Sequence, residues 1–107
     1  MIRHLVLLRF KEDIPPVRLA QLEQDFAALP ARIAGIRQLE WGVNVSAEGL
    51  DKGFTHGFFL SFDDEAGRDA YLPHPEHQAL VDRMQPWLAD ALVIDYAPCR
   101  PSQEAPR

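Results

Sequence analysis

A chain of 107 residues, 47% hydrophobic and 25% charged, can bury one modest core, so a single globular domain is expected. The formal charge of -5, with Lys and Arg scattered rather than clustered, argues against a nucleic-acid partner. Apolar runs such as Leu5 to Leu8 are too short for a membrane span, and the N-terminus lacks an apolar signal segment; a cytoplasmic address is the expectation.

Ile2 to Lys11 alternates, with His4, Val6, Leu8 and Phe10 on one face and Arg3, Leu5, Leu7 and Arg9 on the other, as a strand requires. Pro15 and Pro16 suit a first helical turn, and Leu19, Leu22, Phe26 and Leu29 recur at helical spacing up to Pro30, where the helix is expected to stop. Ile36 to Val45 alternates again and groups Leu39, Trp41, Val43 and Val45. A polar loop from Ser46 to Gly53 leads into an aromatic strand, Phe54 to Phe62, with His56, Phe58, Leu60 and Phe62 on one face. Asp63 and Asp64 are expected to cap a short helix ending at Tyr71. After a proline bend a second helix starts at Pro75, is interrupted near Pro86 and Trp87, and gives way to a last strand, Ala91 to Tyr96. Residues 98–107, with Pro98, Pro101 and Pro106, read as a flexible tail to a domain of residues 1–97.

Strand, helix, strand, strand, helices, strand is the order of an α+β ferredoxin-like βαββαβ sandwich with a four-stranded antiparallel sheet. Helices can cover only one face of that sheet. Leu5, Leu7, Phe59, Leu92, Ile94 and Tyr96 project from the other, a patch that calls for a partner surface. Packing it against a second copy by two-fold symmetry predicts a homodimer.

The chemistry centres on Tyr71-Leu72-Pro73-His74-Pro75-Glu76-His77. Pro73 and Pro75 force a bend, because each lacks a donor and pushes its predecessor out of the helical region. Beyond it His77, Leu80, Val81, Met84 and Leu88 share one stripe, which aims His77 inward, one short turn from Tyr71. Histidine titrates near neutrality and a phenol donates without ionising, so the pair could serve as base and donor for removing a proton beside a carbonyl. The alternative for His77 is an imidazole simply bonded to a backbone carbonyl. His4 and His56 line the same sheet face, either as pocket walls or as rings satisfied by water. His74 and His77 lack further ligands, and Glu76 points elsewhere, so no metal is expected. The glycines at 49, 53 and 57 form no nucleotide fingerprint, the aromatic residues read as core, and the lone Cys99 can form no internal disulfide, so no cofactor is expected either.

Taken together, IRHLVLLRFK from Ile2, Trp41 with Gly42, FTHG from Phe54, YLPHPEH from Tyr71, and Asp95 with Tyr96 resemble the stress-responsive A/B barrel domain (Dabb) family across nearly the whole chain. The resemblance implies a dimeric α+β barrel with a pocket in each subunit between helices and sheet. One plant member of the family closes a linear polyketide by an aldol reaction without a cofactor. The likeness places its acid-base pair at Tyr71 and His77, with pocket walls at His4, Val6, Leu8, His56, Phe58, Leu72 and Val93. Val81, Leu80 and Leu88 depart from that member and alter the pocket's volume. The implied function is a homodimer binding a small, largely apolar carbonyl or polyketide-like compound, with a cyclase or lyase activity on it. The alternatives are a non-catalytic ligand-binding or structural oligomeric protein and, more distantly, a cofactor-independent monooxygenase of related architecture.

Overall fold

The structure, a computed structural model, describes residues 1–106. In chain order it contains β1 (Ile2–Phe10), α1 (Pro16–Ala27), α2 (Leu29–Arg32), β2 (Gln38–Val43), β3 (His56–Phe62), α3 (Glu65–Tyr71), α4 (Pro75–Met84), a 3-10 turn (Gln85–Trp87) and β4 (Leu88–Tyr96). The strands form one antiparallel sheet in the order β2-β3-β1-β4, the ferredoxin-like arrangement expected from the pattern.

Alternation decides the layers. In β1, Ile2, His4, Val6 and Leu8 are buried and the intervening residues are half-buried. Across the strand pair His4 faces Leu60, Val6 faces Phe58 and Leu8 faces His56, so the same face of β3 completes the inner surface. Against it α1 lays Leu22 and Phe26, and the Phe26 ring stacks on Phe58 with centroids 3.8 Å apart. Leu22, Leu60 and Leu80 are at most 1% exposed, and burying each contributes about 2 kcal/mol.

Several boundaries differ from the pattern. Helix α1 ends at Ala27, and Pro30 falls in the first turn of α2, where its missing N–H would lack an intrahelical acceptor in any case. The second and third strands lose their facing ends to the intervening loop: Asn44 Nδ2 donates to Asp51 Oδ2 at 2.7 Å and Gly53 N donates to Asp51 Oδ1 at 2.9 Å. Finally, β4 starts at Leu88 rather than Ala91, because Asp90 pairs opposite Arg9 and extends the ladder.

Of the two aspartates expected to cap α3, only Asp64 does so: its Oδ1 accepts from Gly67 N at 2.8 Å. Asp63 instead accepts from Arg37 Nη2 at 2.7 Å.

The face away from the helices is apolar and open. Leu5 sits between Phe59 and Ile94, and Leu7 between Gly57 and Leu92; Leu92, Ile94 and Tyr96 are about half exposed. Gly57 in turn faces Gly42, so two side-chain positions in one cross-strand row are empty. Two clefts open there, one of about 470 Å³ reaching Leu50 and Phe54 of the loop and one of about 400 Å³ beside Trp41 and Phe59.

Candidate active site

The bend between α3 and α4 builds the site from the backbone outward. Helix α3 ends at Tyr71 with Leu72 as its C-cap, and α4 begins at Pro75 with His74 as its N-cap; of the two residues before prolines only His74 leaves the helical region, at ψ 136°, whereas Leu72 keeps helical angles, φ -59° and ψ -44°, contrary to expectation. His74 serves the turn, its Nδ1 accepting from Glu76 N at 3.1 Å. Because the helix does not continue, the Leu72 carbonyl lies among those without a helical partner. Two side chains of α4 fill that role: His77 Nδ1 and Gln78 Nε2 each donate to it at 2.8 Å. A carbonyl can only accept, so the proton of neutral His77 sits on Nδ1 and the lone pair on Nε2.

The Tyr71 ring is 1% exposed and lies between His77, with centroids 4.4 Å apart, and His4, at 5.7 Å, with Phe62 beneath it at 5.1 Å. His4 Nδ1 lies 2.5 Å from Asp95 Oδ1, and Arg68 Nη1 donates to Asp95 Oδ2 at 2.7 Å. Tyr71 Oη, His4 Nε2 and His77 Nε2 make no hydrogen bond to any described residue, yet no deeply buried side-chain polar atom there goes unpaired. Each of these three atoms therefore touches reachable space, and three free polar atoms sit on three adjoining rings.

The electrostatics follow from burial. Loss of water pushes the Tyr71 phenol well above its ordinary range, so it stays a donor at any ordinary pH. Burial lowers the His77 pKa, the bond to Leu72 opposes that, and the neighbouring His4 and His74 lower it further; the net direction is down, toward the neutral ring. For Asp95, burial raises the pKa, but hydrogen bonds from His4 and Arg68 outweigh it and hold the carboxylate below its usual range.

Other residues expected at the site are placed differently. Val6, Leu8 and Phe58 are buried in the core behind it. Leu72 stands on the rim, 39% exposed, and Val93, the cross-strand partner of Val6, is half exposed on an edge strand. His56 is not brought to Tyr71. It faces Leu8, four positions along β1 from His4, or roughly 13 Å at strand rise. There His56 Nε2 lies 2.7 Å from Glu23 Oε2 and Nδ1 lies 2.8 Å from Thr55 Oγ1. Neither of the two clefts includes Tyr71 or His77, although His56 is among the residues lining the one of about 470 Å³. Among the described residues no three His, Cys, Asp or Glu side chains gather as metal ligands, and no helix is long and apolar enough to cross a membrane.

The sequence names Asp95 only as part of the family likeness and assigns it no place in the site, and it does not single out Arg68 or Glu23. Asp95 carried a local signal, since alternation puts it on the inner face with Val93, where a carboxylate needs a partner. Arg68 and Glu23 carried none, because their partners lie 27 and 33 residues away.

Fold and side chains together define a ferredoxin-like α+β domain with a phenol and two imidazoles grouped at the edge of its helix layer. The chain belongs to the Stress responsive A/B Barrel Domain (Dabb) family, whose model matches residues 2–98. It is 32% identical over 97 residues to the stress-response A/B barrel domain-containing protein HS1 of Arabidopsis thaliana, spanning 91% of this chain and 89% of that protein. It is 25% identical over 97 residues to olivetolic acid cyclase of Cannabis sativa, spanning 91% and 96% respectively. A crystal structure of At3g17210 from Arabidopsis thaliana superposes with a TM-score of 0.89 at 31% identity, covering 96% of this chain and all 100% of that one. A dimeric ferredoxin-like protein of unknown function from Thermobifida fusca gives a TM-score of 0.77 at 27% identity, covering 90% and 89%. Several structural relatives are dimeric, which supports self-association.

Proposed function

We propose that this protein is a cytoplasmic homodimer, paired through its open sheet face, that binds a small, largely apolar carbonyl or polyketide-like compound and catalyses a cofactor-independent aldol-type cyclisation or cleavage. The observation that carries this reading is that the imidazole of His77, with Nδ1 committed to the Leu72 carbonyl and the lone pair left on Nε2, packs 4.4 Å, centroid to centroid, from the ring of Tyr71, whose hydroxyl stays protonated. Similarity to olivetolic acid cyclase supports it.

His77 Nε2 takes the proton from carbon next to a carbonyl, and the electron pair of that C–H bond moves into the enolate, whose oxygen accepts from Tyr71. The enolate carbon attacks a second carbonyl of the same substrate, forming the C–C bond. The resulting alkoxide takes the proton back from His77. His4 borders the same space, Leu72 and Val93 offer apolar rim contacts, and Val6, Leu8, Phe58 and His56 support the sheet behind them.

The test is incubation with linear polyketide thioesters and free acids, with product followed by chromatography and mass spectrometry. His77→Gln is expected to lower kcat by about 10² to 10⁴, and Tyr71→Phe by about 10² or more. Product formed equally well by both variants would overturn the assignment.

A second reading keeps binding without turnover. The near-complete burial of the Tyr71 ring favours it, since little of the phenol is offered to a ligand. A ligand that raises the melting temperature of the wild type but is recovered unchanged would select it.

A further inference from the structure

The helix layer stops short of β4. Val6 is buried while its cross-strand partner Val93 is half exposed, yet the next inner-face residue of β4, Asp95, is tied back to the helices. Arg68 makes that tie. On α3, three residues before Tyr71, its Nη1 reaches Asp95 Oδ2 at 2.7 Å while its Nε is held by Asp69 Oδ1 at 2.9 Å. The other oxygen, Asp95 Oδ1, lies 2.5 Å from His4 Nδ1. One carboxylate thus stands between a guanidinium and an imidazole, one oxygen for each. The Arg68 and Asp95 side chains are 20% and 25% exposed, so this pair is screened less than an exposed one.

We propose that Arg68 is a positioning residue for His4: by occupying Asp95 Oδ2 it fixes the carboxylate so that Oδ1 accepts from His4 Nδ1–H, leaving His4 Nε2 as a bare acceptor beside Tyr71 and His77. The guanidinium removes the freedom of the carboxylate to rotate, which would otherwise let His4 turn its other nitrogen or find another acceptor. The charged and titratable groups facing His4 are Asp95 from β4, Arg68 and Tyr71 from α3, and His77 from α4; its β3 neighbours Leu60 and Phe62 are uncharged. Any catalytic consequence rests on the proposed role of Tyr71 and His77, but the linkage itself does not.

The experiment is ¹⁵N-edited NMR of the histidine rings in the full chain, which reports the tautomer of each neutral imidazole. In the wild type His4 is expected as the Nδ1–H tautomer. In Arg68→Gln the released carboxylate is expected to let the Nε2–H tautomer of His4 appear. Arg68→Lys, which can still donate to Oδ2, restores most of the Nδ1–H form, and Asp69→Asn, which removes only the other partner of Arg68, leaves it unchanged. Arg68→Met retains the aliphatic stem and gives the same reading should the Gln variant not fold. An unchanged His4 tautomer in a folded uncharged variant would overturn the proposal, as would an equal change in Asp69→Asn. The measurement needs no substrate, so absence of turnover would sink the aldol reading and leave this one standing.

Discussion

At the scale of single residues, the site depends on which nitrogen holds the His77 proton, and that is decided by a main-chain carbonyl. The same ring gives the protein a pH dependence whose sign is fixed. Burial lowers the His77 pKa from 6.5, so between the lowered value and 6.5 the unfolded chain binds more protons than the folded one. The stabilising contribution is full above pH 6.5 and is lost as the pH falls to the folded value. Asp95 acts in the same direction in a lower window, because its pKa is held below 3.8. Urea midpoints measured from about pH 5 to about pH 7 should rise with pH in the wild type, and the rise should be smaller in His77→Gln. An equal slope in the two proteins would mean that His77 is not the group responsible. For turnover, the same shift predicts an acidic limb below pH 6.5, with no alkaline loss from the phenol in the ordinary range.

At the scale of elements, the strands were legible because alternation is a property of the local chain. The alternation of β1 and β3 marks the faces that are buried, and the prolines at 73 and 75 mark the place where α3 gives way to α4. What was not legible depended on partners distant in sequence. Pro30 looked like a terminator, but a new helix accommodates it in its first turn. Asp63 and Asp64 looked equivalent as caps until Arg37 took one of them. At the site, His4, Tyr71 and His77 came together, whereas His56 shares their sheet face but stands at the far end of it, because register fixes distance along a strand and alternation does not. The two aspartates offer a direct check. Asp64→Ala should cost about 1 kcal/mol by urea denaturation through loss of a helix cap, and Asp63→Ala should cost much less, since its ion pair with Arg37 is exposed on both sides. Equal effects would deny the cap its role.

At the scale of the whole molecule, the apolar sheet face opposite the helices stays uncovered in a single chain. Leu5, Phe59 and Ile94 form the centre of one cross-strand row that ends in Glu40 on the edge strand β2, and Arg3 folds over the Phe59 ring at 5.5 Å on one side. A charge at the centre of that row, away from its Glu40 edge, would be forced against a facing apolar surface in the proposed dimer. Phe59→Asp is therefore expected to sediment as a monomer with its circular dichroism retained, where the wild type sediments at twice the mass. A wild type that is monomeric at high concentration would reject pairing through this face. The row beside it, where Gly42 meets Gly57, bears differently on the same question. Neither glycine has a positive φ, a methyl on Gly42 would meet nothing within 4 Å, and one on Gly57 would meet Leu7 Cδ2 only at an ordinary 3.7 Å. Folding of the lone chain thus sets no demand for glycine at either position, and any penalty for filling that notch would have to be exacted by whatever molecule is pressed into it.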